Sequence, residues 1–193
     1  GGNTASNIAR WNGSGWASLG DGVTKSSGLA SVLALAVLPN GDLVAGGSFD
    51  KAGGVAASNI ARFDGTSWSP LGTGVSGLAA LAVRSLLALP DGSLIAGGTF
   101  YYAGQVNVNS IARWSNGEWS ALGTGMSGPG NFESRVYALA LLPGGDVCAG
   151  GDFDSAGGIP VNGIARWNGS EWSSMDSGVS NEGNNARVRA LAL

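Results

Sequence analysis

The segment NIARWNGSGW at residues 7–16 recurs along this chain and decides the fold. Its centre, Ile-Ala-Arg followed by an aromatic residue, begins at Ile8, Ile60, Ile111 and Ile164, in steps of 52, 51 and 53 residues. Each copy has two aromatic residues five positions apart with Asn-Gly or Asp-Gly between them, which is typical of a tight β-hairpin turn. A hairpin repeated about every 50 residues predicts a repeat protein of short strands.

Two further markers return with the same period and complete a unit of four strands, a to d. Leu-Pro-X-Gly, beginning at Leu38, Leu89 and Leu142, ends the mostly apolar strand a and supplies a tight turn. Ala-Gly-Gly then ends strand b, Ile-Ala-Arg lies on strand c, and the second aromatic residue begins strand d. Four-stranded antiparallel units repeated in this way predict an all-β fold, a β-propeller of about 52 residues per repeat. The predicted units are strands c and d of a first blade at 1–20, full blades at about 31–72, 82–123 and 135–175, and a lone inner strand at 187–193.

These residues carry a family resemblance that covers essentially the whole chain. Gly-Gly after an apolar strand, then an aromatic residue and a Trp a few positions later, resembles the kelch motif. The segment at 7–16 is also similar to the bacterial repeats called delta-sixty repeats and to fungal cortical polarity-marker repeats. The resemblance implies a propeller blade and implies little about function. The aromatic residue and the Trp lie closer together here than in kelch repeats.

The length of the chain leaves three arrangements open. The 193 residues equal four repeats less about fifteen residues, the length of one strand b with its flanks. The chain is expected to be a piece of a longer repetitive protein, to pair with copies of itself that complete a ring, or to close as four blades with a gap. A gap would expose two strand edges, and such edges recruit further strands.

Composition excludes several classes of function. The chain has no His and one Cys, so Ser-His-Asp and Cys-His catalysis and Cys-rich zinc sites are excluded. Galactose-oxidase-like propellers resemble kelch repeats, but their copper chemistry needs His. Ten basic against thirteen acidic residues argue against nucleic-acid binding, and no apolar run is long enough to span a bilayer. No cofactor is expected. Cys148 stands where other copies have Val44 and Ile95, so we expect a buried apolar residue.

The b–c loops and d–a connections are long and variable, and they meet on one rim of a propeller. Variable loops on a rigid scaffold commonly bind ligands, so this rim is the predicted binding face, although plain solvated loops remain the alternative. The most distinctive residues there are Tyr101, Tyr102, Asn131, Phe132 and Glu133. Asp152 and Asp154 are weak candidates for a Ca²⁺ site, because hard cations prefer several carboxylate and carbonyl oxygens. Otherwise no metal site is expected.

Two residue types recur in every copy at structural positions. The arginines of strand c need a carboxylate or carbonyl partner, because a buried unpaired charge is costly; the alternative is a ring of anion-binding arginines around the channel. The tryptophans that begin strand d are expected to pair across the hairpin, with a stacking platform for sugars or bases as the alternative. These positions are Arg10, Arg62, Arg113, Arg166, Trp16, Trp68, Trp119 and Trp172.

The sequence therefore favours a non-enzymatic binding or scaffold module, part of a longer repetitive surface or secreted protein. Its ligand would be a protein or a glycan, and its location extracellular or at the cell surface. One alternative is a purely structural repeat in an extracellular assembly or filament. The other is a propeller hydrolase, which would require two facing carboxylates with displaced pKa values at the channel mouth.

Overall fold

The structure, a computed structural model, describes residues 4–77, 81–128, 133–181, 184–185 and 187–192. Every regular element among these residues is a β-strand, and three four-stranded antiparallel sheets form blades in the order a-b-c-d. Blade 1 comprises Ser31–Val37, Leu43–Ser48, Ile60–Phe63 and Trp68–Pro70; blade 2 comprises Ala82–Ala88, Leu94–Thr99, Ile111–Ser115 and Glu118–Ala121; blade 3 comprises Arg135–Leu141, Val147–Asp152, Ile164–Trp167 and Trp172–Ser174. The predicted β-propeller fold is confirmed.

The chain on either side of the three blades forms parts of the same repeat. Ala9–Trp11 and Trp16–Ser18 form a two-stranded hairpin, here called the N-terminal hairpin, which corresponds to strands c and d. Near the other end, Ser180–Asn181 pairs with Asn184–Asn185. Residues 187–192 lie against blade 3 but form no strand ladder with the described residues, and Leu193 of the predicted inner strand lies outside the described part.

The aromatic residues of each c–d hairpin face each other as predicted. Phe63 lies opposite Trp68 in the strand register, and the other three hairpins repeat this pairing. The centroids of the paired rings lie 5.1 to 5.6 Å apart, in tilted contact. Tilted aromatic pairs at this separation stabilise a hairpin beyond simple burial, which gives the recurring aromatic residues a structural role.

The glycine pair of strand b allows adjacent blades to approach closely. A Cβ built on Gly97 would lie 2.5 Å from Val136 Cγ1 on strand a of the next blade, and Gly46 meets Val83 in the same way. Gly150 meets Val188, so residue 188 occupies the place that a fourth inner strand would take. The blade interfaces are thus closed by small residues on one side and β-branched residues on the other.

Small sheets on the long-loop rim, which no sequence pattern predicted, link each blade to the next. In each, the b–c loop of a blade folds into a short hairpin that pairs with the connection entering that blade. We call these sheets clasps: clasp 1 is Val23–Thr24, Lys51–Ala52 and Val55–Ala56; clasp 2 is Val75–Ser76, Tyr102–Ala103 and Val106–Asn107; clasp 3 is Met126–Ser127, Ser155–Ala156 and Ile159–Pro160. The long loops are therefore ordered by backbone hydrogen bonds.

Buried tryptophans tie the blades together at their outer edges. The indole Nε1 of Trp68 donates to the carbonyl of Leu19, 2.7 Å away, in the connection that precedes its blade. Trp119 and Trp172 donate in the same way, over 3.0 and 2.8 Å, to carbonyls of the preceding repeat. Each repeat consequently buries its Trp with the help of its predecessor, which is the nearest-neighbour stabilisation expected of a repeat protein.

Candidate functional site

The blades have two rims of different character. The a–b and c–d turns lie on one rim, the short-turn rim, while the clasps and the d–a connections lie on the other, the long-loop rim. None of the described residues forms a helix long and apolar enough to cross a membrane. The exposed aromatic and charged side chains lie on both rims and along the inner strands.

Tyr101 and Tyr102 lie together on the long-loop rim at clasp 2. Their exposed fractions are 37% and 43%, high for large hydrophobic side chains. The backbone around them is held firmly, because Tyr101 N donates to the carbonyl of Ser76 over 3.0 Å and Tyr102 pairs with Asn107. Blades 1 and 3 have Asp50-Lys51 and Asp154-Ser155 at the corresponding positions, so this aromatic pair is specific to blade 2.

The other predicted residues of this rim are only partly brought together. Asn131 and Phe132 lie outside the described residues. Glu133 lies beside strand a of blade 3, where its carboxylate is 3.9 Å from the guanidinium of Arg135. The sequence grouped Glu133 with the tyrosines, whereas its observed partner is an arginine of the inner strand.

The environment of Asp152 is cationic. Its carboxylate lies 2.9 Å from the Nε of Arg187 and 3.8 Å from a guanidinium nitrogen of Arg135. Two guanidinium groups repel a bound cation, and the described residues contain no cluster of three or more metal-ligating acids, cysteines or histidines. Asp154 takes part in clasp 3 through its backbone, which bonds to Ser127 and Val161. This geometry gives no support to the Ca²⁺ prediction.

The recurring arginines of strand c pair within their own blades. A guanidinium nitrogen of Arg62 lies 3.5 Å from the Asp42 carboxylate, and Arg166 forms an ion pair with Asp146. In blade 2 the partner is the turn residue Asp91, 2.6 Å from Arg113. All three pairs lie near the short-turn rim. These guanidinium groups therefore do not converge on the channel, and among the described residues Arg10 forms no ion pair.

Two equivalent grooves on the short-turn rim were missed by the sequence analysis. One, of about 380 Å³, lies between blades 1 and 2, and the other, of about 300 Å³, lies between blades 2 and 3. Trp114 and Trp167 line corresponding walls, and Pro90 contributes to both grooves. The Leu-Pro-X-Gly repeat is the signal that would have located them, because its turns form the groove edges.

An arginine and a tyrosine at bulged positions of two inner strands were also missed. In each blade, strand a has a one-residue bulge opposite strand b, and the bulged residues are Leu33, Arg84 and Tyr137. The guanidinium carbon of Arg84 lies 5.7 Å from the centroid of the Tyr137 ring, and that of Arg189 lies 5.8 Å from it. Bulges re-aim side chains and frequently occur near functional sites. The interruption of an apolar strand by Arg84 was the available signal.

The titratable groups with displaced pKa values are not poised for acid–base or nucleophilic chemistry. Backbone hydrogen bonds from Ser26 and Ser67 lower the pKa of Asp50 and Asp64, and hydrogen bonds from Ser93 lower that of Asp91. Burial raises the pKa of the Cys148 thiol, which keeps it protonated near neutral pH. The carboxylates are stable anions and the thiol is a weak nucleophile.

Comparison with known proteins identifies the fold. A family model described as a β-propeller domain of unknown function, DUF5122, matches residues 38–67 and 89–114, within blades 1 and 2. No curated protein matches the chain. These findings and the observed blades show that the chain is a β-propeller repeat protein.

Two solved structures are similar to this chain at low sequence identity. The extracellular domain of a B. thetaiotaomicron protein described as a one-component system is 15% identical, with a TM-score of 0.51; the match covers 86% of this chain and 19% of that one. A catalytically inactive virginiamycin B lyase from Staphylococcus aureus, with quinupristin, is 13% identical, with a TM-score of 0.43 and coverage of 81% and 44%. The chain spans less than half of either structure, and the first likeness is one of fold alone.

Proposed function

We propose that this chain is a non-enzymatic binding module whose ligand docks on the long-loop rim at Tyr101 and Tyr102. The observation that carries the proposal is the exposure of both rings on a clasp that is hydrogen-bonded to two repeats. Tyrosine provides a large contact area with few rotatable bonds and is enriched at binding interfaces. Because the backbone is already ordered, binding there requires little further loss of conformational entropy.

The proposal includes a setting for the module. We take the chain to be part of a longer repetitive surface or secreted protein. The clasps that join each repeat to the next support this setting, as does the extracellular domain that is similar in fold. The kelch-like, delta-sixty-like and polarity-marker-like character of the repeat belongs to the same proposal. The ligand would be an extracellular protein or a glycan.

The enzyme alternative has weaker support. A carboxylate hydrolase needs one acid with a raised pKa facing a second carboxylate. Glu133 and Asp152 lie beside the inner strands, and each has the guanidinium of Arg135 within 4 Å as an ion-pair partner. A purely structural repeat is the other alternative, and it would bind no ligand on either rim.

The test is a binding screen with variants of the tyrosine pair. The wild-type chain would be applied to an array of neutral and acidic glycans and immobilised extracellular proteins, in parallel with a Tyr101→Ala/Tyr102→Ala double variant. Thr66→Ala, on the short-turn rim, is the control. We expect at least one ligand whose affinity falls about tenfold or more in the double variant and is unchanged in the control.

Two results would overturn the proposal. One is the absence of binding to every glycan and protein on the array, which would favour the structural repeat. The other is an equal affinity of the double variant and Thr66→Ala for each bound ligand, which would remove the tyrosines from the site. Matching thermal unfolding curves for the three proteins would establish that affinity, not folding, is being compared.

A further inference from the structure

The inner strands carry an arginine arrangement that the tyrosine site does not use. Val188 meets Gly150 as Val136 meets Gly97, so residues 187–192 continue the series of inner strands beyond blade 3. In three inner segments the valine is followed by a polar residue, which is Arg84 in blade 2, Tyr137 in blade 3 and Arg189 in the segment after blade 3. The Tyr137 ring thus has a guanidinium group on each neighbouring inner strand.

Among the described residues, Arg84 and Arg189 use few of their hydrogen-bond donors. The Nε of Arg84 donates to Thr99 Oγ1 over 3.2 Å, and Arg189 is held by its contact with the tyrosine ring. Neither forms an ion pair with any carboxylate in the described part of the chain. An arginine has five N–H donors in a fixed fork that matches a carboxylate, so both side chains are oriented but have donors available.

The charge around these side chains is locally positive. Arg135 and Arg187 begin their inner segments on the same side and share the carboxylate of Asp152, with Glu133 also near Arg135. These contacts involve four arginines and two carboxylates, in a chain whose formal net charge is −3. A surplus of guanidinium groups at one end of the inner strands attracts anions there, although the chain as a whole carries a net negative charge.

The chain itself shows which anion fits. Glu133, two residues before Arg135 in the chain, places its carboxylate 3.9 Å from the Arg135 guanidinium, so a side-chain carboxylate fits beside this arginine. This contact and the local surplus of guanidinium groups favour a peptide carboxylate as the ligand group.

We infer that the long-loop end of the inner strands binds an acidic peptide segment of a partner protein, with its carboxylates held by Arg84 and Arg189 on either side of Tyr137. The inference rests on the proposed function as a binding module, but it assigns a separate surface and a ligand class. One wall of the site consists of side chains that already form ion pairs with each other, namely Arg135, Arg187 and Asp152. Bidentate guanidinium–carboxylate bonds supply affinity, and the cation–π contacts fix the guanidinium positions.

The test uses a fluorescein-labelled hexaglutamate peptide and the full chain, followed by fluorescence anisotropy at low and physiological salt. Arg84→Gln and Arg189→Gln are compared with Arg10→Gln, which makes the same charge change on an exposed strand-c arginine away from the inner strands. We expect each inner-strand variant to weaken binding about tenfold and the control less than about twofold. We also expect the affinity of the wild-type chain to fall as salt rises.

The possible outcomes separate this inference from the proposed function. No binding of hexaglutamate at low salt, or an equal loss in Arg10→Gln, would overturn it. Binding of polygalacturonate or polyphosphate through Arg84 and Arg189 without hexaglutamate binding would overturn the assignment to a peptide. If Arg84→Gln fails to fold, the hexaglutamate affinity of Arg189→Gln, which changes an exposed side chain, tests the inference. Loss of hexaglutamate binding with intact Tyr101-dependent binding would leave the proposed function in place.

Discussion

The N-terminal hairpin and the c–d hairpin of blade 3 share the sequence IARWNGS-X-W but differ in burial. Both pair their aromatic residues directly across the strands, and both turns are held by an asparagine side chain, Asn12 or Asn168, that accepts two backbone hydrogen bonds. Yet Trp172 is 2% exposed, whereas Trp16 is 50% exposed. The same local sequence has produced the same hairpin and opposite degrees of burial.

The neighbours of Trp172 explain the difference. Its indole donates to the Leu122 carbonyl of the preceding repeat, and a Cβ on Gly157 of clasp 3 would lie 2.8 Å from the indole ring. Both neighbours come from strands and loops outside the hairpin. A blade hairpin is thus specified by its local sequence, whereas the burial of its tryptophan depends on the clasp and on the preceding repeat.

The largest effect should come from removing the two tryptophans in turn. Trp172→Ala empties a buried site and leaves the Leu122 carbonyl without its donor, so we expect a loss of about 3–5 kcal/mol of unfolding free energy. Trp16→Ala should cost about 1 kcal/mol or less, because half of this side chain is in water. Urea denaturation followed by circular dichroism measures both. Equal losses would refute the difference drawn between the hairpins.

A smaller loss of stability should follow when a glycine is replaced by alanine at a blade interface, and almost none when the glycine lies in the N-terminal hairpin. In Gly97→Ala the new methyl group would lie 2.5 Å from Val136, so we expect a loss of about 1–3 kcal/mol. Gly15→Ala meets nothing within 4 Å and should change stability by about 0.5 kcal/mol at most. Urea midpoints of the two variants provide the measurement, and a Gly97→Ala protein as stable as wild type would show that the interface can relax.

The smallest effect concerns pH and the c–d turn. Blade 1 has Asp64 where the two compared hairpins have Asn12 and Asn168. Backbone hydrogen bonds from Ser67 and Thr66 lower the folded-state pKa of Asp64 below 3.8. Its carboxylate therefore stabilises the fold above pH 3.8, and this contribution is lost as the pH falls through the lowered pKa.

In Asp64→Asn, the unfolding free energy should therefore fall less steeply as the pH is lowered from 7 to 3. We expect the variant to be slightly less stable than wild type at pH 7 and to approach it at pH 3, as measured by urea midpoints at both values. Asn keeps an acceptor oxygen for the turn, so the hairpin itself remains. Parallel profiles across this range would contradict the assigned hydrogen bonds.

Much of the fold was predictable because its signals repeat. The period of Ile-Ala-Arg, the Asn-Gly turns and the glycine pair each report a local requirement, and together they predicted the blades and the facing aromatic rings. The clasps were missed because their strands are two residues long and pair with segments from another repeat. Such short pairings have no periodicity of their own.

The candidate sites were less predictable than the fold. Loop variability pointed to Tyr101 and Tyr102, whose exposure depends on the clasp beneath them. The arginines that recur on strand c attracted notice by repetition in every copy, whereas the register position of Arg84 and Arg189 on the inner strands is occupied by Leu33 and Tyr137 in the other copies. A site assembled from unlike residues leaves no repeat signal, and only the bulge geometry brings it out.

Local sequence specifies the blade: its turns, its strand order and its aromatic pairs. These depend on contacts within about 40 residues, which local propensity and spacing report directly. The tertiary structure alone decided which tryptophans are buried, which arginines are paired and which lie beside Tyr137. Those outcomes depend on contacts between repeats, where packing against the preceding blade, and not the local sequence, fixes the environment of each side chain.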